Sequence, residues 1–270
     1  MTQAHDQEDT GAALRGLYTA SGGVGAVFDA KVADYQASRP DYPPALFDRL
    51  ARELAPRRVA DVGAGTGLLT QGLLARGWQV LAVEPNAAMR AACDARLGAL
   101  AGYRSAEGRA EAIPAAAASL DLITAAQAFH WFEPEAARAE ALRVLSPAGQ
   151  VALVWNDRRR EQPLHLALDE EVFERHGGEG RLRLLAHEDR GQVGRFFADT
   201  APRQWQWPHE HGLDEAGLIS LVFSRSYMPR PDSEPGRVVT ATVRELFARF
   251  ARDGRVAVPY TTVLMLGRPG

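Results

Sequence analysis

The chain has 270 residues, 46% hydrophobic and 24% charged. That composition excludes wholesale disorder, and a chain of this size buries about three-quarters of its unfolded surface. Basic and acidic residues number 31 and 34, and a net charge of -3 leaves no electrostatic footprint for nucleic acid.

Cys93 is the only cysteine, which excludes an intramolecular disulfide and leaves a cysteine-built zinc site without a basis. Residues 1–10 are polar and lean acidic, without the basic start and apolar stretch of a secretory signal. No apolar run approaches membrane-spanning length. A reduced, cytoplasmic chain with no membrane partner is expected, as a monomer or homodimer. Lys31 is the only lysine among the 31 basic residues, which with the abundant alanine suggests a GC-rich bacterial genome.

Residues 1–27 mix polar side chains with Gly22, Gly23 and Gly25 and read as an arm that contributes to a lid. Within it Leu14, Leu17 and Tyr18 have the spacing of a short amphipathic helix. Pro43 and Pro44 suit a first helical turn, which Leu46, Leu50 and Leu54 continue at every fourth residue. The period then changes. Residues 58–62 form a short apolar strand, broken by Gly63-Ala64-Gly65-Thr66-Gly67, and a helix over 68–76 stops at Gly77. A strand over 78–83 ends in Glu84-Pro85, and Asn86 caps a helix passing through Met89, Ala92 and Leu97. A weak strand at 103–106, a strong one at 120–126, a helix over 134–145 and a strand at 151–155 follow.

Strands alternating with helices of about ten residues require parallel strands joined by right-handed crossovers. The expected fold class is therefore α/β: an open, doubly wound, mostly parallel Rossmann-like sheet with helices on both faces, its core over 28–157. Beyond Asn156 the alternation fades. Helices at 163–175 and 213–224 make 158–234 a helical cap insertion over the acceptor site. Residues 235–270 supply a helix ending near Arg252 and a last strand, 256–266, that completes the sheet.

In doubly wound sheets, ligands bind where the strand order reverses. Glycines there let the backbone touch a ligand with no Cβ in the way. A carboxylate closing the second strand, here Glu84, can accept hydrogen bonds from two ribose hydroxyls. Together these features predict a nucleoside-containing ligand. A dinucleotide fingerprint places glycine at its first, third and sixth positions. Counted from Gly63 the sixth is Leu68, which disfavours NAD(P). S-Adenosylmethionine carries no phosphate, so its loop need not aim a helix end at an anion.

These residues resemble a known family. Asp61-Val62-Gly63-Ala64-Gly65-Thr66-Gly67 is similar to the first motif of class I S-adenosylmethionine-dependent methyltransferases, and Val83-Glu84-Pro85 to their second. Residues 108–114 are similar to the stretch that borders adenine. Residues 121–132, with Gln127-Ala128-Phe129-His130-Trp131-Phe132, resemble the fourth-strand motif of the type 11 subgroup, some of whose members resemble trans-aconitate methyltransferases. Tyr35 and Arg39-Pro40-Asp41-Tyr42-Pro43 fit the same subgroup. The resemblance spans 28–157 and continues more loosely through Ser224-Arg225-Ser226-Tyr227 to the closing strand.

The resemblance implies roles. Gly63, Ala64, Gly65 and Thr66 would face the methionyl part and ribose, and Glu84, followed by Pro85, would hold the ribose hydroxyls. Met89 would pack on an adenine face, while Ala110 and Glu111 would read the adenine edge. Gln127 and Ala128 would line the floor. Tyr35 and Arg39 would close from the N-terminal side, Arg39 through a forked hydrogen bond to the methionyl carboxylate. Arg109 departs from the many relatives that carry aspartate there for the adenine amino group.

Methyl transfer from a sulfonium is an in-line displacement with an activated donor, so alignment does most of the work, roughly 7–11 kcal/mol. A general base is needed only where the acceptor must lose its proton early. His130 is the candidate base, beside the alternative of a structural histidine. Trp131, Asn156 and Tyr227 are the candidates for lining the acceptor pocket. Transfer to oxygen, nitrogen or carbon of a small molecule, leaving S-adenosylhomocysteine, is the expected reaction. An NAD(P)-dependent oxidoreductase and a non-catalytic S-adenosylmethionine-binding protein are the alternatives. No metal is expected, because His209-Glu210-His211 lacks a third ligand and reads as a solvated polar turn. Arg158-Arg159-Arg160 reads as a solvated loop, with binding of an acidic substrate as the alternative, and Cys93 as an inert buried thiol.

Overall fold

The computed structural model describes residues 38–178, 190–198, 200–225 and 227–270. The N-terminal arm, its expected helix, Tyr35 and Ser226 lie outside the described residues. The elements of the first half are α1 (Pro44–Leu54), β1 (Arg58–Val62), α2 (Leu68–Leu74), β2 (Gln79–Val83), α3 (Ala87–Leu97), β3 (Tyr103–Ala106), β4 (Leu120–Ala126) and α4 (Pro134–Val144). The second half contains β5 (Leu145–Arg158), α5 (Pro163–Leu168), α6 (Gly191–Phe197), β6 (Arg203–Leu213), α7 (Glu215–Phe223), α8 (Glu234–Phe250) and β7 (Val256–Gly267). A π-turn over Asp169–Phe173 continues α5 into the short helix Glu174–His176.

Seven strands form one sheet in the order β3-β2-β1-β4-β5-β7-β6. The pairs from β3 to β5 are parallel, and β7 runs antiparallel to both β5 and β6. The doubly wound, mostly parallel sheet expected from the alternation is thus the architecture found. The strand order reverses between β1 and β4, so the crevice beyond their carboxyl ends is the natural ligand site.

Strands buried on both faces read as near-continuous apolar runs, and successive residues here feed opposite cores. Val59, Leu122 and Val154 point to the face covered by Leu46 and Leu50 of α1, Leu69 and Leu73 of α2, and Leu97 of α3. Val62, Ile123 and Leu153 point to the other face, against Val144 of α4 and Phe196 and Phe197 of α6. Leu46 and Leu50 are completely buried, each contributing about 1.5–3 kcal/mol. A third core joins α5, α7 and α8 through Leu168, Phe173, Leu221, Val239, Val243 and Leu246 to Val256 and Val258 of β7. Those two β7 residues pair with β6 beyond the end of β5, so the β6–β7 ribbon projects past the sheet and carries the helical cap.

Three expectations need correction. The segment 158–234 is not wholly helical, because Arg203–Leu213 forms strand β6 along one edge of the sheet. His209-Glu210-His211 therefore lies on a strand and is not a solvated turn. His209 Nε2 lies 2.9 Å from Asp41 Oδ1, and burial pushes the His211 imidazole below its ordinary pKa. Arg158, expected in a solvated loop, ends β5 with its side chain only 9% exposed and Nη1 3.0 Å from Asp169 Oδ1. The physical reason is the cap, whose Phe173 and Asp169 cover a residue that the local sequence leaves polar and open.

Candidate active site

The loop after β1 is fixed by its backbone. Gly63 and Ala64 both donate N–H to Val83 O, at 2.8 and 3.2 Å, which ties the loop to the end of β2. The three glycines do different work. A Cβ on Gly63 would stand 2.5 Å from the Cβ of Ala128, and one on Gly67 would meet Leu97 and Cys93 at 2.6 and 2.7 Å. These two are glycine because the segment after β4 and helix α3 pack against them. Gly65 has nothing within 4 Å of an added Cβ, with φ at +56°. It alone of the three presents its bare backbone to open space, in a conformation that costs a side-chain-bearing residue about 1–2 kcal/mol.

Glu84 stands beside this opening. Its Oε2 accepts the N–H of Gly65 at 2.8 Å, and its Oε1 accepts that of Asn86 at 2.9 Å. Each oxygen keeps acceptor capacity for a further donor. Burial raises the Glu84 carboxyl above its ordinary range, while the two backbone N–H groups and Arg90 pull it down. The site is thus a preset carboxylate with two unspent lone-pair directions next to a bare peptide. That pair fits a ligand carrying vicinal hydroxyls, and the residues present therefore suit the ribose of a nucleoside cofactor. Thr66 adds a completely buried Oγ1 that meets no hydrogen-bond partner among the described residues.

Beneath the loop, Asp61 is buried on β1 and accepts hydroxyl hydrogen bonds from Thr70 at 2.5 Å and Thr124 at 2.8 Å. One carboxylate thereby clamps β1 to α2 and β4, on both sides of the crevice. Burial pushes its carboxyl up to about 6, against the two hydroxyls, and the charge of Glu84 adds to the rise. The sequence shows Asp61 within the motif without showing this role. A carboxylate inside an apolar strand, nine residues before Thr70, is the signal that points to it.

The remaining candidates fall into two groups. Near the loop, Met89 is buried on α3 with its N–H on the Asn86 side chain at 2.8 Å, and Pro85 is exposed. Ala110 is buried within a tight turn closed by the Arg109–Ala112 bridge. Glu111 accepts the N–H of Glu133 at 2.8 Å and lies 3.5 Å from Arg109, so the departure at Arg109 places a cation beside the carboxylate. Across the crevice Gln127 is left-handed, with φ at +55°. Its N–H goes to Val154 O at 2.9 Å and its Nε2 to Asn156 O at 3.3 Å. Strained backbone held by its surroundings clusters at functional sites. Ala128 is buried beneath Gly63, and His130 sits half-buried in the 3-10 turn Phe129–Trp131, its ring 4.9 Å from that of Trp131.

The second group lies toward the cap. Asn156 is buried, donating to Asp41 O at 3.0 Å and accepting from Thr262 Oγ1 at 2.6 Å. Arg39 reaches Ser224 O at 3.5 Å, and Tyr227 stacks edge-on to Phe173. The structure thus brings Gly65 to Glu84, Gln127 to Asn156 and His130 to Trp131, and sets Arg39 and Tyr227 together with the cap. Among the described residues no group of three histidine, cysteine or acidic side chains is arranged to hold a metal.

Residues 60–153 match the model of the type 11 methyltransferase family, a methyltransferase domain. The chain is 38% identical over 242 residues to uncharacterized methyltransferases of Mycobacterium tuberculosis and Mycobacterium bovis, covering 87% of this chain and 93% of each relative. A structure from Anaeromyxobacter dehalogenans, provisionally assigned as a type II methyltransferase, superposes with a TM-score of 0.59 at 24% identity, over 85% of this chain and 97% of that one. Another from Anabaena variabilis, provisionally assigned as a methyltransferase of an antibiotic biosynthesis pathway, gives 0.57 at 19%, over 85% and 99%. Strand order, glycine loop and acidic second-strand end agree with this likeness, and the chain belongs to the methyltransferase family, with the fold of its class I, S-adenosylmethionine-dependent members.

Proposed function

We propose that the chain binds S-adenosylmethionine in the crevice between β1 and β4 and transfers its methyl group to oxygen, nitrogen or carbon of a small molecule. The observation that carries the reading is the Gly65–Glu84 pair: a bare peptide facing open space, hydrogen-bonded at 2.8 Å to a buried carboxylate. When bound, the cofactor supplies a methyl group on a sulfonium, already activated toward displacement. The chain's own work is then to hold and align. Glu84 accepts the ribose hydroxyls, Gly65 lets the cofactor approach its backbone, and Asp61 keeps β1, α2 and β4 in fixed relation beneath them. Gln127, pinned through Asn156 to the start of α1 by way of Asp41, fixes the opposite wall. Such alignment is worth roughly 7–11 kcal/mol when the reacting groups are held in line.

His130 follows β4 in the turn Phe129–Trp131, and in this reading it takes a proton from an acceptor hydroxyl or amine. Calorimetric titration with S-adenosylmethionine, S-adenosylhomocysteine and NAD in parallel tests the cofactor. Micromolar binding of the first two and silence from NAD are expected; binding of NAD alone would overturn the reading. With an acceptor in hand, His130→Ala is expected to slow turnover while leaving cofactor affinity near that of the parent. Unchanged turnover would make His130 part of the scaffold.

A further inference from the structure

A row of polar side chains crosses the sheet on the face that α1 covers. Thr262 of β7 and Asn156 of β5 are direct partners in the antiparallel ladder, and both are buried. Thr262 Oγ1 donates to Asn156 Oδ1 at 2.6 Å, and Asn156 Nδ2 donates to Asp41 O at 3.0 Å. A backbone carbonyl can only accept, so the amide is held one way round, and its oxygen takes the hydroxyl of Thr262. In the two preceding rows of the same face the ladder pairs Val154 with Leu264 and Ala152 with Leu266. Packing of the sheet is therefore met by apolar pairs, and the chain turns polar in the row just beyond the end of β4, where Ala126 lies level with Val154.

The row is tied at both ends. On its outer side the segment 38–43, just before α1, meets two histidines of β6 that share a strand face. His209 Nε2 lies 2.9 Å from Asp41 Oδ1 and bonds to no other polar group among the described residues. His211 hydrogen-bonds the backbone of Ser38, which is completely buried. On its inner side Asn156 O accepts Gln127 Nε2 at 3.3 Å. Gln127 holds a left-handed backbone, with φ at +55°, and such strain persists in a non-glycine residue only where the surroundings hold it. The next residue, Ala128, packs so closely beneath Gly63 that a Cβ there would stand 2.5 Å away. Contacts thus run from β6, three strand spacings or roughly 14 Å from β4, to the wall of the glycine loop.

We propose that Thr262, together with Asp41 and His209 on the outer side, are positioning residues for methyl transfer: they hold the Asn156 amide, and through it Gln127 and Ala128, in the geometry that closes the crevice opposite Glu84. This rests on the methyltransferase reading above. A buried polar network whose members are all satisfied fixes one arrangement of the chain, and here the arrangement fixed is that of the strained residue after β4. Strands β7 and β6 thereby act on a crevice that β1, β2 and β4 build.

The test turns on two near-isosteres. Thr262→Val keeps the shape of the side chain and removes the hydroxyl, while Thr262→Ser keeps the hydroxyl and removes the methyl group. A residue that only packs is harmed by serine, and one that positions Asn156 is harmed by valine. Two readouts are taken on the full chain: hydrogen exchange, without cofactor, of the peptide spanning Gln127, whose N–H donates to Val154 O, and calorimetric affinity for S-adenosylhomocysteine. Thr262→Val is expected to speed exchange at Gln127 by about fivefold or more and to weaken S-adenosylhomocysteine by about threefold, with Thr262→Ser near the parent in both. His209→Leu, at a half-buried position, is expected to shift both by about twofold, and His209→Gln, which keeps an N–H donor, to restore them. Greater harm from serine than from valine, or exchange at Gln127 indifferent to both, would overturn the proposal. If Thr262→Val does not fold, the His209 pair decides, and His209→Leu with the exchange and affinity of the parent would overturn it. Failure of S-adenosylhomocysteine to bind the parent would instead defeat the methyltransferase reading, and the exchange comparison would still decide whether the row holds Gln127.

Discussion

In the parallel half of the sheet, the polar groups beside the glycine loop find partners close by in sequence, although Asp61 also reaches Thr124, sixty-three residues on. Glu84 reaches Gly65 nineteen residues back and Asn86 two residues on, and Asp61 meets Thr70 nine residues on. In the antiparallel half the corresponding contacts join residues far apart: Arg39 to Ser224 across 185 residues, Asn156 to Asp41 across 115, and His165 to Pro259 across 94. A strand–loop–helix unit fixes the first site almost by itself. The second exists only once the segment just before α1, β5, the cap and β7 have come together. The proposed cofactor side is therefore a property of short motifs, and the proposed acceptor side a property of the assembled fold.

If that division is real, the largest single effect belongs to Glu84. Glu84→Ala removes the carboxylate proposed to take both ribose hydroxyls and strips the acceptors from the N–H groups of Gly65 and Asn86. Charge-assisted hydrogen bonds contribute about 1.5–3 kcal/mol each, so S-adenosylmethionine affinity is expected to fall about a hundredfold or more by calorimetry. Hydrogen exchange at Gln127 in the same variant, without cofactor, should change far less. Equal disturbance of both would break the separation.

Next in size is a contrast within the loop. Gly63→Ala drives a methyl group to 2.5 Å from Ala128 Cβ at a left-handed φ, and overpacking with backbone strain costs about 2–4 kcal/mol of folding stability. Gly65→Ala meets nothing within 4 Å and should cost only about 1–2 kcal/mol. Its methyl group instead enters the crevice, so cofactor affinity is where that variant should suffer. Urea denaturation and calorimetry on the pair check both halves of the statement.

The same division explains what could be read from residues alone. The meeting of the glycine loop with Glu84 was legible because both lie on one strand–loop–helix–strand stretch of chain. The Asn86 cap was legible for the same local reason: its Oδ1 accepts the N–H of Met89 at the start of α3. Strand β6 was not. Its alternation runs Trp205, Trp207, His209, His211, and the histidines stand where apolar residues would have marked a buried face. Arg158 was hidden because its burial comes from Asp169 and Phe173, which the π-turn of the cap swings onto it. Of the three loop glycines, the sequence could not say which faces the crevice, since that depends on Ala128, Cys93 and Leu97 packing from other elements.

Asp61 gives a third, smaller effect with a defined pH window. Its folded-state pKa, about 6, lies above the ordinary carboxylate value because burial disfavours the charge. The protonated carboxyl therefore stabilises the fold fully below about pH 4, and that contribution is lost as pH rises through about 6. Asp61→Asn removes the ionisation, and Thr70 and Thr124 can turn their hydroxyls to suit the amide. The parent should lose roughly 1–2 kcal/mol of stability between pH 5 and 7 from this group, and the variant should not. Parallel urea titrations at the two pH values would show the difference, and identical slopes would mean that Asp61 stays charged in the fold.

The helix caps supply the finest test, because one sits in each half. Asn86 Oδ1 accepts the N–H of Met89 at 2.8 Å, and Asp214 Oδ1 accepts that of Gly217 at 2.8 Å at the start of α7. Replacing either by alanine should remove about 1 kcal/mol of stability, yet the consequences should part. Helix α3 supports the loop through Cys93 and Leu97, which press on Gly67, so Asn86→Ala should weaken S-adenosylmethionine binding. Helix α7 leads into Ser224, whose carbonyl holds Arg39, so Asp214→Ala should loosen the cap and spare the cofactor. Hydrogen exchange of each variant, with and without S-adenosylhomocysteine, would localise the loosening to α3 or α7. If both variants lost cofactor affinity alike, the two halves would be one cooperative unit, and the acceptor site would be as much a product of the glycine loop as the cofactor site is.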